Sequence, residues 1–596
     1  MPGIVGLITK RPRHWAEPQL LRMVAALRHE PFYRAGTWID ESLGVYAGWT
    51  VIENSFADGM PLRDRDRTLI FSGEEYGHRN AEAESDESHA AFLLRLAANG
   101  PCFISGLDGI FHGLLADSVN GSVTLFNDRY GMHRLCHHES MEAFYFAAEA
   151  KAILAARPDL RVPSPQGLGE FLACSCVLEN RTIFKDIAVI PGGSSWIFRN
   201  GALKQKETYF DPKEWEEQAP LDAESFYQGL RESLEKNLPH YFEGPQRTAI
   251  ALTGGMDTRV IMAWNKSSPG SVPCYTFGGM YRECEDVRIA RKVASICQQT
   301  HQVIAVGDEF LKNFPYFAER SIYLTEGGVD VYRSADLYVS KRAREIAPAK
   351  VVGTYGSEIL RHAVMFKPMP PADGLFRPEF LAHVYQAGET YAAIRRVHPV
   401  TFAAFRQSPW YHHGVLALEQ TQLTVRSPYL DNDFVRTVYC ASALNNGDVR
   451  LRLIGDGNPA LRRIPSDRGV GGGFIPLASP ILHGFQEFTF KAEYAYDYGM
   501  PQWVAQMDHL ASPLHLERLF LGRHKYLHYR VWYRDALAGY VRAMLLDPLT
   551  LSRPYIERKS LEKIVTGHIR GDRNYTTAIH KMLTLELLHR LFFDPR

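Results

Sequence analysis

Six consecutive residues near the middle of the chain, Thr253-Gly254-Gly255-Met256-Asp257-Thr258, combine residue types that bind phosphate. Two glycines leave successive backbone N–H groups accessible. Where such a turn opens a helix, those donors add to the positive helix end and make an anion site. The hydroxyls of Thr253 and Thr258 add donors, and Asp257 is a residue type that holds Mg²⁺ against a polyphosphate. Arg259 follows directly, placed either to reach a phosphate or to sit as a solvated charge on a helix face. No Gly-Lys-Ser/Thr follows, so this is not a P-loop, and a bare G-G-x-D also suits an ordinary strand-to-helix turn.

Other chemistry-bearing residues are weaker signals. Glu285 and Asp286 open a helical stretch, where they could receive a substrate amine or simply complement the dipole. His137-His138 and His412-His413 are adjacent pairs, and sequence neighbours rarely point at one metal. Cys174 and Cys176, placed on one face of a strand, read as buried thiols. The aromatics of 494–498 and 526–533 read as core.

The elements that must position these residues follow from periodicity. The first 200 residues alternate as short strands, at Ile4–Ile8, Gly44–Val51, Gly109–Ala116, Ser122–Asn127 and Ala143–Ala148, with helices at Glu17–Arg28 and Ser88–Ala98. A polar stretch with two prolines, 206–224, reads as a linker into a helix at Ser225–Asn237. RTAIALTGGMDTRVIMAW then joins an apolar strand to the Gly-rich turn and a helix. VPCYTFG, a helix at Glu285–Cys297, HQVIAV and AKVVGTYGSEIL continue the alternation of a doubly wound α/β domain with a parallel sheet. From about 375 onward the pattern is helical, with loops near 445–475.

Several further segments occur in a telling order. LDGIFHGLLAD, NDRYGMHRL, FYFAAEAKAIL and ACSCVLENRTIFKDIAVIPGG lie in the first half, and GTYGSEIL and VRSPYLDNDFV in the second. With the Thr253–Thr258 turn, which is similar to the S-G-G-x-D-S pyrophosphate loop of the ATP-pyrophosphatase superfamily, they resemble the asparagine synthetase family and its β-lactam synthetase and lasso-peptide cyclase relatives. The resemblance spans most of the chain. It implies an α/β protein: a layered αββα, Ntn-hydrolase-like glutaminase domain over residues 1–205, a linker at 206–224, and an ATP-pyrophosphatase synthetase domain with a helical extension over 225–596. It implies ATP and Mg²⁺ as cofactors, with Thr253, Gly254, Gly255, Asp257, Thr258, Arg259, Phe277 and Gly353 around the nucleotide.

Departures from the family pattern carry consequences. The family's glutaminase nucleophile is a cysteine at position 2, and here that residue is Pro2, which has no thiol to form a thioester. The glutamine-holding N-G-E is replaced by Ser72-Gly73-Glu74. The first domain is therefore expected to keep its fold without glutaminase activity, with Asp108, Arg129 and Glu149 serving as structural ion pairs and caps. Ser357 stands where the family has its second Mg²⁺-binding Asp, and Thr354 replaces a family Glu. Glu358 is then the expected partner of Asp257 at the metal. Arg468, in IPSDRGVGGGF, is the counterpart of the family's catalytic Lys. It can stabilise developing negative charge but not act as a base. Tyr355 and Glu358 are the candidates for deprotonating the amine, and the glycines after Arg468 read as a closing loop.

Composition limits the partners. The 596 residues carry 67 Lys+Arg and 67 Asp+Glu, so no global polycation exists to bind nucleic acid or an anionic membrane. No apolar run approaches the roughly 20 residues that span a bilayer. The N-terminal segment lacks the order of a secretory signal, and eight cysteines without a CxxC pair fit a reduced, cytoplasmic setting. The family resemblance implies adenylation of a small-molecule or peptide carboxylate and its transfer to an amine, as in macrolactam or lactam formation. An ammonia-dependent asparagine synthetase and a catalytically dead scaffold are the rivals. Assembly as a homodimer or with a biosynthetic partner is left open.

Overall fold

The computed structural model describes residues 1–77, 89–98, 100–372, 374–441, 448–469, 478–499, 502–503, 505–506, 517 and 521–594. Two six-stranded antiparallel sheets form the N-terminal third. In the first, the strand Gly3–Thr9 lies between Ala143–Ala147 and Val45–Ile52. In the second, Gly109–Asp117 lies between Arg67–Glu75 and Ser122–Asn127. Every second residue of a strand faces the same way. Ile4 and Ile8 accordingly join Ile70, Leu114, Leu125 and Phe146 between the sheets, while Val5 and Leu7 face outward to Leu20, Met23 and Ile153 of the helices Arg13–Leu27 and Ala150–Ala156. On the other outer face, Phe71, Phe111 and Phe126 pack against Phe92 and Leu93 of the helix His89–Ala97. The result is the αββα layering expected from the sequence. The strand boundaries fall within a residue or two of the alternation, and Ser122–Asn127 coincides with it. Ser88, the expected start of the second helix, lies outside the described residues.

The second part is built on a five-stranded, all-parallel sheet. Its order is His301–Ala305, Cys274–Gly278, Thr248–Ala251, Ala349–Val351, Thr424–Arg426. The chain first builds outward from Thr248–Ala251 in one direction, then returns to its other side for Ala349–Val351. That reversal is a topological switch point, where open α/β sheets bind ligands beyond their C-terminal strand ends. A mostly helical remainder follows, as expected.

Two expectations are corrected. The stretch 206–224 is not a free linker. The strand Ala202–Thr208 pairs with Ser194–Arg199, and Trp215, on the short helix Lys213–Glu216, is buried against Phe210, Phe405 and Tyr439. Polar residues hid two aromatic anchors that staple the segment down. The loop expected near 445–475 contains a helix, Val449–Gly457, capped by the Asp448 side chain. Its two glycines weaken the periodic signal.

Candidate functional site

The central strand Thr248–Ala251 runs into the Gly-rich turn, and Asp257 opens the helix Asp257–Trp264. The neighbouring strand Ala349–Val351 runs into Gly353–Gly356 and the helix Gly356–Arg361. The two turns are pressed together. A β-carbon on Gly353 would lie 2.6 Å from the Thr258 nitrogen, and one on Gly356 would lie 2.8 Å from Asp257 Cβ. Between those glycines Tyr355 adopts a left-handed φ of 77°, a strain of roughly 1–3 kcal/mol in a non-glycine residue.

Together the turns floor a cleft of about 1170 Å³. Of the residues singled out in the sequence, Gly255, Asp257, Phe277, Gly353, Tyr355, Glu358 and Arg468 line it. Thr253, Gly254, Thr258 and Arg259 do not. The Thr253 and Thr258 hydroxyls lie 3.3 Å from each other, and Gly255 N–H donates to Thr253 Oγ1 at 3.3 Å, so these hydroxyls brace the turn. Gly254 N–H donates to the Asp286 carboxylate at 2.8 Å. Asp286 therefore contacts the loop backbone, and burial together with nearby Asp467 pushes its carboxyl up to about 7. Glu285 pairs with Arg288 and Arg523. The phosphate reach expected of Arg259 is corrected. Its guanidinium is buried and donates to the carbonyls of Gly254, Ile464 and Pro465, which ties the turn to the segment before Arg468.

Asp257 is occupied on both oxygens. Arg450 Nη1 donates to Oδ1 at 2.9 Å, and Ser357 Oγ donates to Oδ2 at 2.7 Å. Arg450 Nη1 also lies 3.3 Å from Ser357 Oγ. Its Nε and Nη2 clamp Asp448 at 2.9 and 2.8 Å. Burial opposes the charge on Arg450, but Asp448 and Asp257 outweigh it and hold its pKa above the ordinary value. Glu358, the other expected metal ligand, is buried with its Oε1 3.1 Å from His412 Nε2. Among the described residues no three His, Cys, Asp or Glu gather as a metal-ligating group. In place of the carboxylate pair expected to share a magnesium ion, Asp257 faces a guanidinium and Glu358 an imidazole.

The two candidate bases differ. Tyr355 is fully buried, and desolvation holds its phenol well above its usual range, so it stays protonated at neutral pH. Its ring meets His412 edge-on at 5.4 Å. Glu358 faces the cleft beside His412, a residue the sequence reading assigned only to an unremarkable pair. Arg468 is exposed at the rim, with its guanidinium 4.0 Å from the Phe490 ring. The residues from Val470 to Gly473 that follow it lie outside the described residues. A second cavity of about 960 Å³ adjoins the cleft and shares Arg333, Met365 and Tyr526 with it. Tyr494 and Tyr498 line this cavity instead of lying wholly in the core, whereas Tyr529 and Tyr533 are core as expected. Arg450, Asp448 and His412 were missed because no local motif marks them.

In the N-terminal domain Pro2 lines a cavity of only about 60 Å³ with Ser72, Gly73, Glu74 and Arg426. No cysteine is among its lining residues. Both oxygens of Glu74 accept from Arg426, at 2.7 Å each. Arg426 ends the edge strand of the parallel sheet, so this carboxylate is bound by the other half of the molecule. Glu149 sits among the Met1 ammonium, His29 at 2.7 Å and Lys151 at 2.5 Å. Burial opposes its charge, yet His29, Lys151 and the Met1 amine around it hold it well below the usual carboxylate range. Arg129 donates to the carbonyls of Ser105 and Leu107, and Asp108 accepts from Asn432 N–H across the domain interface at 3.3 Å. Cys174 and Cys176 are buried, as expected, but at a helix end and not on a strand.

Residues 1–210 match a glutamine amidotransferase domain family. Over 309 residues the chain is 21% identical to the glutamine-hydrolyzing asparagine synthetase 1 of Bacillus subtilis (strain 168), an alignment that takes in 50% of this chain and 48% of that protein. The chain thus spans about half the length of the curated relative it matches. Two solved structures are similar over 51% of this chain. The allosteric regulatory enzyme of purine biosynthesis is 10% identical with a TM-score of 0.26 over 80% of its own chain. The glutamine phosphoribosylpyrophosphate amidotransferase of B. subtilis, complexed with ADP and GMP, is 9% identical with a TM-score of 0.25 over 81% of its chain. The first 210 residues thus match a glutamine amidotransferase domain, and half of the chain is similar in sequence to an asparagine synthetase.

Proposed function

We propose that this chain is an ATP-dependent ligase that joins a carboxylate to an amine without hydrolysing glutamine. One observation carries the reading. The Gly-rich turn and the Gly353–Gly356 turn meet at the switch point of a parallel sheet, and they open a cleft large enough for a nucleotide and a second substrate. In the proposed reaction a substrate carboxylate oxygen attacks the α-phosphorus of ATP and pyrophosphate leaves. The amine nitrogen then attacks the acyl carbon of the adenylate, loses a proton, and AMP departs. The chain's own contribution is placement and charge. Arg450 and Arg468 face the cleft as fixed cations, where they stabilise phosphate and oxyanion charge. Glu358, beside His412, is the group positioned to take the amine proton.

Two features support glutamine independence. Pro2 offers no nucleophile, and Glu74 is consumed by Arg426. The amine is then a substrate in its own right, which favours lactam or macrolactam formation over use of a glutamine amide. The test is exchange of labelled pyrophosphate into ATP across a panel of amino-acid and peptide carboxylates. We expect exchange with some member of the panel and its loss in Asp257→Ala. Binding of α,β-methylene-ATP in neither wild type nor variant would favour a scaffold role instead. Glutamate release from glutamine is expected to match a denatured control. Exchange supported by aspartate, with ammonium consumed, would favour an ammonia-dependent asparagine synthetase.

A further inference from the structure

We infer that Arg450 is the resident cation of the polyphosphate site, and that it takes the place of a protein-bound divalent ion at Asp257. The inference rests on the adenylating reading above. A carboxylate at the mouth of an anion-binding turn repels an incoming phosphate unless a cation lies between them, and in many sites that cation is a metal. Here the place beside Asp257 is already taken by a guanidinium 2.9 Å from Oδ1, while the opposite oxygen accepts from Ser357 at 2.7 Å.

The arrangement is built, not incidental. The Arg450 side chain is only 6% exposed, and Asp448 grips its other edge through two parallel hydrogen bonds. Such bidentate pairing fixes the plane of the guanidinium, which a lysine cannot reproduce. Asp448 also caps the helix that carries Arg450, so the cation is aimed by the fold itself. Ser357 completes the device. A hydroxyl at this position hydrogen-bonds Asp257 and adds no charge, so Asp257, Asp448, Ser357 and Arg450 sum to −1, one unit less negative than with an aspartate at 357. An aspartate there would restore the second carboxylate that a divalent ion needs. All four side chains line one cleft, so a polyphosphate seated on the Gly-rich turn meets Arg450 directly.

Two measurements on the full chain test this. The first is binding of Mn²⁺ alone, followed by electron paramagnetic resonance. Wild type is expected to bind no Mn²⁺ at an Asp257-dependent site up to 100-fold excess metal, while Ser357→Asp combined with Arg450→Ala gains one such site, lost again when Asp257→Ala is added. The second is binding of α,β-methylene-ATP in EDTA and in Mg²⁺. Wild type is expected to differ by less than tenfold between the two buffers. Arg450→Met is expected to lose at least tenfold in EDTA, with thermal unfolding confirming that the variant is folded. Should it not fold, Arg450→Lys, which keeps the charge without the fork, is expected to fall between the two. Mn²⁺ bound by wild type through Asp257, or analogue binding that appears only with Mg²⁺, overturns the inference and leaves the adenylation reading standing. Analogue binding in neither buffer overturns the adenylation reading itself, and the Mn²⁺ measurement then still decides whether Arg450 excludes a metal from Asp257.

Discussion

At the scale of single residues the cleft is set by contacts too close for any side chain. Gly353 and Gly356 allow the two turns to touch, and a β-carbon on Gly353 meets backbone at 2.6 Å. Overpacking of this kind costs about 1–3 kcal/mol. Gly353→Ala is therefore expected to lower the unfolding temperature and, on the proposed function, to weaken binding of an ATP analogue more than that destabilisation alone would require, because it wedges apart the two turns that floor the cleft. Calorimetry and equilibrium binding on the same samples separate the two effects. Asp286 gives a pH signature. Its carboxyl, raised to about 7 by burial and by Asp467, binds a proton in the folded chain more tightly than at its ordinary value of 3.8. The contribution of this group to stability is thus present below about pH 4 and is lost as pH rises through 7. Asp286→Asn keeps an acceptor for Gly254 N–H and removes the titration. The difference in unfolding temperature between wild type and variant is expected to shift in favour of the variant from pH 4 to pH 8. A constant difference across that range would show that Asp286 titrates normally.

At the scale of elements, the segment joining the two halves is held by aromatic packing. Trp215 lies 4.6 Å from Phe210 and 6.0 Å from Phe405, ring centre to ring centre. Removing a buried tryptophan costs about 3–5 kcal/mol. Trp215→Ala is expected to make 206–224 susceptible to limited proteolysis while wild type resists. Equal cleavage of both would mean the staple does not hold. The segment shows why its order was illegible: a charged, proline-bearing run has the composition of a linker. Only long-range contacts reveal that two of its three aromatics, Phe210 and Trp215, are buried.

At the scale of the whole molecule, the N-terminal domain is locked onto the parallel-sheet half at the pocket that Pro2 lines. Arg426 donates twice to Glu74 and also to the carbonyls of Tyr241 and Glu243. Breaking a buried ion pair from one side costs about 3–5 kcal/mol, because a desolvated charge is left behind. Glu74→Gln is expected to cost less than Glu74→Ala, since the amide still accepts one hydrogen bond, and neither is expected to change glutamine turnover. Calorimetry should show the two domains unfolding in one transition in wild type and beginning to separate in Glu74→Ala. Among the described residues no helix is long and apolar enough to cross a membrane.

The sequence by itself determined the layered sandwich, the parallel sheet and the location of the Gly-rich turn. Those features rest on local periodicity and on glycine spacing, which short windows carry. It also determined that residue 2 carries no thiol and that residue 357 carries no carboxylate, since both follow from residue type alone. Only the tertiary structure decided which cations face Asp257 and Glu74. Arg450 lies 193 residues from Asp257, and Arg426 lies 352 residues from Glu74. A buried guanidinium finds its carboxylate through the packing of whole elements, and no spacing along the chain records that meeting.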